Sequence, residues 1–161
     1  MGTGMATRLP ARFSRIPMTY RSGWMAALDA DGWPDLGGPV EVVNIHLANP
    51  IGWPWWRSVT MRHRQVAQLL THLAGRTDRQ VVVGDINATP AWPAYRRIAH
   101  VLDDAAGVTA TAVPTWRPKG RGPLLLRIDH VFVSGLVPIR TTTVGVPGAD
   151  HVALVAELST R

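Results

Sequence analysis

Val81, Val82 and Val83 form a short apolar run without alternation, the pattern of a strand covered on both faces. Gly84 ends the run. Asp85-Ile86-Asn87 follows where such a strand opens onto its carboxyl end, the edge at which open α/β sheets hold ligands. A carboxylate and a carboxamide two residues apart on an extended chain point the same way. Upstream, residues 23–28 and 40–47 read as two strands of an antiparallel hairpin, joined by a long Gly/Pro/Asp-rich connection. A loop carrying Trp53, Trp55 and Trp56 follows, and packing under the next helix is its slightly favoured reading. Residues 57–74 place Val59, Val66, Leu69, Leu70 and Leu73 at helical spacing, with Gly75 as a natural stop. A second helix is expected over residues 92–100, then a polar loop containing Thr115 and Trp116, and a basic tip over residues 118–123. Residues 124–134, 137–144 and 151–158 are the remaining strand candidates. Residues 1–22 are basic and read as irregular, and residues 23–161 read as a single domain. The pattern predicts an α/β (α+β) fold with mixed strand directions.

Composition narrows this only a little. A chain of 161 residues, 46% hydrophobic and 17% charged, is large enough for one real core. It has no run of 18 apolar residues and no apolar stretch near its start, so neither a membrane span nor a signal peptide is expected. The expectation is a protein soluble as given, with its compartment open. The absence of cysteine excludes disulfides and thiolate metal sites. A net charge of +6 suits a phosphate-bearing partner, although Arg is common in chains of this composition.

Candidate chemistry gathers at predicted strand ends. Asn44-Ile45-His46 puts two polar side chains on one strand face. Arg127-Ile128-Asp129-His130 sets an aspartate inside an apolar strand, where a buried carboxylate needs a partner. Gly148-Ala149-Asp150-His151 opens the last strand. Taken singly, each reads as a turn aspartate or a packed histidine. Other chemistries fit worse. Asp85-Ile86-Asn87 lacks the later Gly and Glu of a calcium loop. There is no His-Glu-x-x-His zinc motif, no Gly-x-Ser-x-Gly elbow and no nucleotide-binding P-loop.

Taken together, these segments resemble the endonuclease/exonuclease/phosphatase superfamily, the deoxyribonuclease-I-like fold. The matching stretches are Asn44-Ile45-His46-Leu47, Arg62-x-x-Gln65, Gly84-Asp85-Ile86-Asn87-Ala88-Thr89-Pro90, Arg127 to Ser134 and Ala149-Asp150-His151. Their order and spacing agree over residues 40–158. Pro93-Ala94-Tyr95-Arg96-Arg97 and Pro114-Thr115-Trp116 look most like a bacterial subgroup that includes membrane-anchored phosphatases.

The resemblance implies a β-sandwich with flanking helices and hydrolysis of a phosphate ester by activated water, with Mg2+ or Mn2+ as cofactor. By resemblance, Asp85 orients or deprotonates the water, and Asn87 holds that water or a phosphate oxygen. His46 donates to the phosphate, and Asp129 pairs with His151 and keeps it protonated. Asp150 contributes to the metal site, while Asn44 and Trp116 contact substrate. Ala149 stands where relatives usually have Ser. The substrate can be nucleic acid, a lipid phosphate or a small molecule.

The resemblance also implies an incomplete fold, with the first half missing. Relatives begin with a stretch that supplies an early Asn and a Gln-Glu motif, whose Glu is the main metal ligand. Here Glu41 has the opposite strand parity to Asn44 and His46, and Glu157 lies six residues beyond His151. Three further expectations follow. A catalytically impaired fragment that only binds phosphate or nucleic acid is the alternative function. A homodimer through an uncovered sheet face is expected, because residues 1–22 are too few and too polar to cover it. Membrane attachment is expected only through a missing N-terminal region.

Overall fold

A computed structural model of the chain describes residues 3–29, 31–118 and 122–160. Among these, eight strands form two sheets. The larger contains β1 (Arg12–Ile16), β2 (Gly23–Leu28), β3 (Val40–His46), β4 (Gln80–Asp85), β5 (Asp103–Asp104) and β6 (Asp129–Ser134), in the order β1-β2-β3-β4-β6-β5. β7 (Leu136–Val144) and β8 (Ala153–Thr160) form the smaller, antiparallel sheet. Three α-helices, α1 (Trp55–Leu73), α2 (Pro93–Ala99) and the short α3 (Ala105–Val108), and a 3-10 turn at Pro34–Leu36 complete the set among the described residues. The fold is mixed α/β, as the strand and helix patterning predicts.

Both faces of the large sheet carry packed apolar side chains, which explains the unbroken valines of β4. On one face Val43, Ile45, Val82 and Phe132 meet Val66, Leu69 and Leu73 of α1 and Ile98 of α2. On the other, Val40, Val81, Val131 and Val133 pack with Leu136 of β7 and with Leu154, Ala156 and Leu158 of β8. Residues of alternating parity thus feed two separate clusters, as the two-residue period of a strand requires.

The hairpin expected from residues 23–28 and 40–47 is present as β2 and β3, paired antiparallel. β3 and β4 then run parallel, joined by α1, and β6 returns antiparallel to β4. Three expectations need correction. The stretch read as irregular contains β1, paired with β2 along its whole length. Its mostly exposed residues leave no apolar period to read. Met5 and Ala11 from the same stretch pack on the β7–β8 side of the large sheet, so residues 1–22 do help to cover that face. The strand expected from residue 124 starts at Asp129, because residues 124–128 pair only locally with Trp116. The basic tip expected over residues 118–123 falls largely outside the described residues.

Candidate active site

The register of the large sheet aligns three functional side chains. His46 ends β3 opposite Asp85, and Asp85 ends β4 opposite Asp129 at the start of β6. Asp85 shares the parity of Val81 and Val83, so all three polar groups stand on the β7–β8 side, beyond the edge of the valine cluster. Gly84 makes this alignment possible. Its φ is +135°, and a Cβ there would fall 1.9 Å from the carbonyl oxygen of Ile45 on β3.

Asp85 is held by its own turn. Asn87 lies in the left-handed region at φ +50°, so Asp85 and Asn87 are not the extended pair that the sequence suggests. The chain turns back instead. The Asn87 backbone N–H donates to Asp85 Oδ1 at 2.8 Å, and its carboxamide donates to Asp85 Oδ2 and to the Leu47 carbonyl, each at 3.0 Å. Asn87 therefore anchors the carboxylate and ties it to the end of β3. Burial, and secondarily the Asp129 charge, push the Asp85 carboxyl up to about 6, despite the bond from Asn87 and the cations nearby.

Asp129 meets His151, whose Nδ1 lies 2.8 Å from Asp129 Oδ2. Burial works against the charged imidazole. The bond to Asp129 and the charges of Asp129, Asp85 and Asp150 outweigh it, and the His151 pKa is raised. One segment builds this pairing. The hydroxyl of buried Thr115 accepts from the backbone N–H groups of Ile128 (3.2 Å) and Asp129 (3.1 Å), and its carbonyl accepts from Val152 N–H at 2.9 Å. Trp116 bridges Leu126 and His151, and Arg117 N–H donates to the Asp150 carbonyl. Thr115 to Arg117 is thus a short splint between the two segments that carry Asp129 and His151.

His46 is oppositely tuned. Burial, Arg21 and His151 lower its pKa, so its imidazole is neutral near pH 7. Arg21 Nη1 lies 2.9 and 3.0 Å from the two ring nitrogens, and Asp85 Oδ2 is 3.5 Å from Nε2. Arg21 is a site residue that the sequence pattern missed, because the segment before β2 gives no periodic signal.

Arg21, His46, Asp85, Asn87, Trp116, Asp150 and His151 line one cleft of about 390 Å³, with Asn49, Pro50, Ile51, Trp92, Leu126 and Ile128 completing its wall. Asn44 and Asp129 are not part of that wall, and Asp150 lines it only at its rim. The Asn44 amide donates to the Gly4 carbonyl at 2.7 Å. Asp150 is exposed at the rim, outside the group in which Asp85, Asp129 and His151 each offer a ligand atom within 4.8 Å of the others. That group suits a hard divalent cation. Two carboxylates face one another there, and a cation between them would offset the repulsion that raises the Asp85 pKa.

Behind the cleft, on the helix side of the sheet, lies a second polar group. Tyr95 Oη and Arg127 Nη1 donate to Asp104 Oδ2 at 2.7 and 2.5 Å, and Nε2 of buried His130 lies 2.9 Å from the Ala88 carbonyl. Although burial opposes ionisation of Asp104, His130, Tyr95 and Arg127 outweigh it and hold the carboxyl well below its ordinary range. His130 thereby fastens the loop that carries Asn87. Arg62 and Gln65, paired by the sequence motif, also act on a loop: the Arg62 guanidinium donates to the Ala48 carbonyl at 2.7 Å, and Gln65 Oε1 accepts from Ala48 N–H at 2.8 Å. Glu41 is occupied on the helix side by Arg76, with Nε–O distances of 2.8 and 2.9 Å.

The chain is thus a mixed two-sheet α/β protein with His46, Asp85, Asn87 and the Asp129–His151 pair gathered at one sheet edge. The model of the Endonuclease/Exonuclease/phosphatase family matches residues 1–151, and the chain belongs to this family. No curated protein sequence matches the chain. Among solved structures, an endonuclease/exonuclease/phosphatase from Beutenbergia cavernae is similar, with 23% identity, a TM-score of 0.72, and coverage of 96% of this chain and 46% of that one. The human Nocturnin catalytic domain with bound sulfate shares 21% identity at a TM-score of 0.70, covering 94% of this chain and 60% of that one. A Neisseria 3′ phosphatase bound to a product DNA hairpin shares 17% identity at 0.63, covering 85% and 64%. At these identities the likeness is one of fold. The chain spans about half the length of the structures it matches. The family is generally dependent on divalent metals.

Proposed function

We propose that the cleft hydrolyses a phosphate ester with water, as a phosphodiesterase, nuclease or phosphatase, in the presence of Mg2+ or Mn2+. The observation that carries this reading is that Asp85 and the Asp129–His151 pair stand together at one cleft, each offering a polar atom within 4.8 Å of the others. The Asp85 carboxyl titrates at about 6, and the His151 pKa is raised by its aspartate. A carboxylate able to take a proton beside a histidine whose charged form is favoured is the pairing that acid–base work at phosphorus needs.

Asp85 orients the attacking water and takes its proton, while Asn87 fixes the carboxylate in place. The new bond joins water oxygen to phosphorus, the ester P–O bond breaks, and the leaving oxygen is protonated as an alcohol. His151, held by Asp129, and Arg21, held against His46, stabilise the negative charge on the phosphoryl oxygens. Neutral His46 keeps one N–H to donate. Asp85 and Asp129 would hold the divalent ion, with Asp150 reaching in from the rim, and a bound ion neutralises charge on the phosphoryl group. Trp116 forms a wall against the substrate. Hydrolysis of bis(4-nitrophenyl) phosphate that is lost with EDTA and restored by Mg2+ or Mn2+ tests this reading; turnover indifferent to EDTA contradicts the ion's role.

A second reading, a weakened fragment that binds without turnover, is favoured by the position of the glutamates. Glu41 is engaged by Arg76, and Glu157 lies on β8 away from the cleft wall. We also propose that two copies meet through the β7–β8 side, where Val42 and Val83 remain only half-buried. Sedimentation as a monomer at micromolar concentration would contradict that contact.

A further inference from the structure

The loop between β3 and α1, read from sequence as packing under the helix, does the opposite. Ile51 is 83% exposed, Trp53 86%, Trp55 58% and Trp56 52%. Val59, expected on the buried stripe of α1, is exposed beside them, and Tyr20 shares a groove with Trp53. A soluble surface gathers this much apolar area in one place only where something covers it. The patch is continuous with the cleft, because Ile51 lines the cleft wall as well.

The charge around the patch selects the partner. Residues 47–77 contain no Asp or Glu, and Arg57, His63 and Arg64 are exposed on the same helix that begins with Trp55 and Trp56. Arg97 adds a further cation, with its guanidinium 3.4 Å from the His63 carbonyl. Exposed tryptophans mixed with aliphatic side chains and flanked by arginine are the composition of a surface that lies in the headgroup region of an anionic bilayer. Single-stranded nucleic acid would need open ring faces for base stacking. Here the three rings are inclined to one another, Trp53 on Trp56 at 64° and Trp55 on Trp56 at 83°, so they do not form one stacking platform. Ile51, among the most exposed of the group, has no ring to stack.

We propose that this patch docks the protein on an anionic lipid bilayer, with the mouth of the cleft at the headgroup level. Docking does not depend on the chemistry proposed for the cleft. Its consequence, that the phosphate ester hydrolysed belongs to a membrane lipid, rests on that reading.

Co-sedimentation of the whole chain with vesicles of phosphatidylcholine alone, or mixed with phosphatidylglycerol, tests the docking. Binding is expected to the mixed vesicles, to weaken as salt is raised, and to fall about tenfold or more in the triple variant Trp53→Ser, Trp55→Ser, Trp56→Ser. The double variant Arg57→Glu, Arg64→Glu, at exposed cations outside the cleft wall, is expected to weaken it too. Far-UV circular dichroism of each variant establishes that the fold is kept. Wild-type protein that ignores phosphatidylglycerol vesicles would overturn the proposal, as would folded variants that bind them equally well. So would a patch-dependent affinity for oligo(dT) without one for vesicles. Hydrolysis of a water-soluble phosphodiester by the same preparations reports on the cleft alone, so failure of docking and failure of the chemistry are read separately.

Discussion

His151 Nδ1 and Asp129 Oδ2 lie 2.8 Å apart although 22 residues separate them in sequence. The bond raises the His151 pKa, so the stability it contributes is fully present below the ordinary histidine value and is lost as pH rises through the raised one. Asp129→Asn should return the His151 titration toward or below 6.5, followed by NMR of the imidazole ring. An unchanged titration would mean that the pairing does not set its charge.

Asp85 carries the reverse cost. Its folded pKa of about 6 lies above the ordinary 3.8, so the folded state binds a proton more tightly than the unfolded one. Stability therefore falls as pH rises from about 4 to about 6. Asp85→Asn removes that titration. Relative to wild type, the variant should gain about 2–3 kcal/mol between pH 4 and pH 8, an upper-range figure from two pKa units. Urea unfolding at the two pH values measures it. A gap that does not change with pH would contradict the raised pKa.

Thr115 is the smallest residue with a large expected effect. Thr115→Val keeps the shape but deprives the Ile128 and Asp129 N–H groups of their acceptor. A loss of about 1–3 kcal/mol in stability is expected. Because Asp129 then loses its backbone anchor, the His151 titration should also shift toward 6.5. Thr115→Ser, which keeps the hydroxyl, should restore it.

Much of this was legible before any coordinates. The strands and helices that bury apolar side chains announce themselves by period, and β2, β3, α1 and β4 lie close to where the pattern puts them. The polar groups at strand ends were legible as a set, because a buried Asp129 or Asp85 makes no sense without partners. What the pattern could not carry was whatever depends on the third dimension. β1 is an exposed edge strand with no buried face to impose a period. Asn87 has the composition of an extended neighbour, but its left-handed turn depends on where Leu47 sits. Val59 and the three tryptophans share the composition of core residues; only the direction of α1 shows that they face outward. Arg21 has no motif around it at all.

The ion site proposed for this chain has few charged ligands, because neither glutamate lies in the cleft wall. Affinity for a hard cation follows ligand number and charge. Isothermal titration with Mg2+ should give a dissociation constant of about a millimolar or weaker. Stoichiometric micromolar binding would show that the cluster of Asp85, Asp129 and His151 is stronger than its composition implies.

The central claim is that Asp85 is the base of a phosphate-ester hydrolysis. The most direct measurement is the rate of bis(4-nitrophenyl) phosphate hydrolysis by wild-type protein and by Asp85→Asn, with saturating Mg2+, across pH 5 to 8. The variant should fall by about a hundredfold or more below wild type at every pH from 6 to 8. Equal rates for the two proteins would contradict the account.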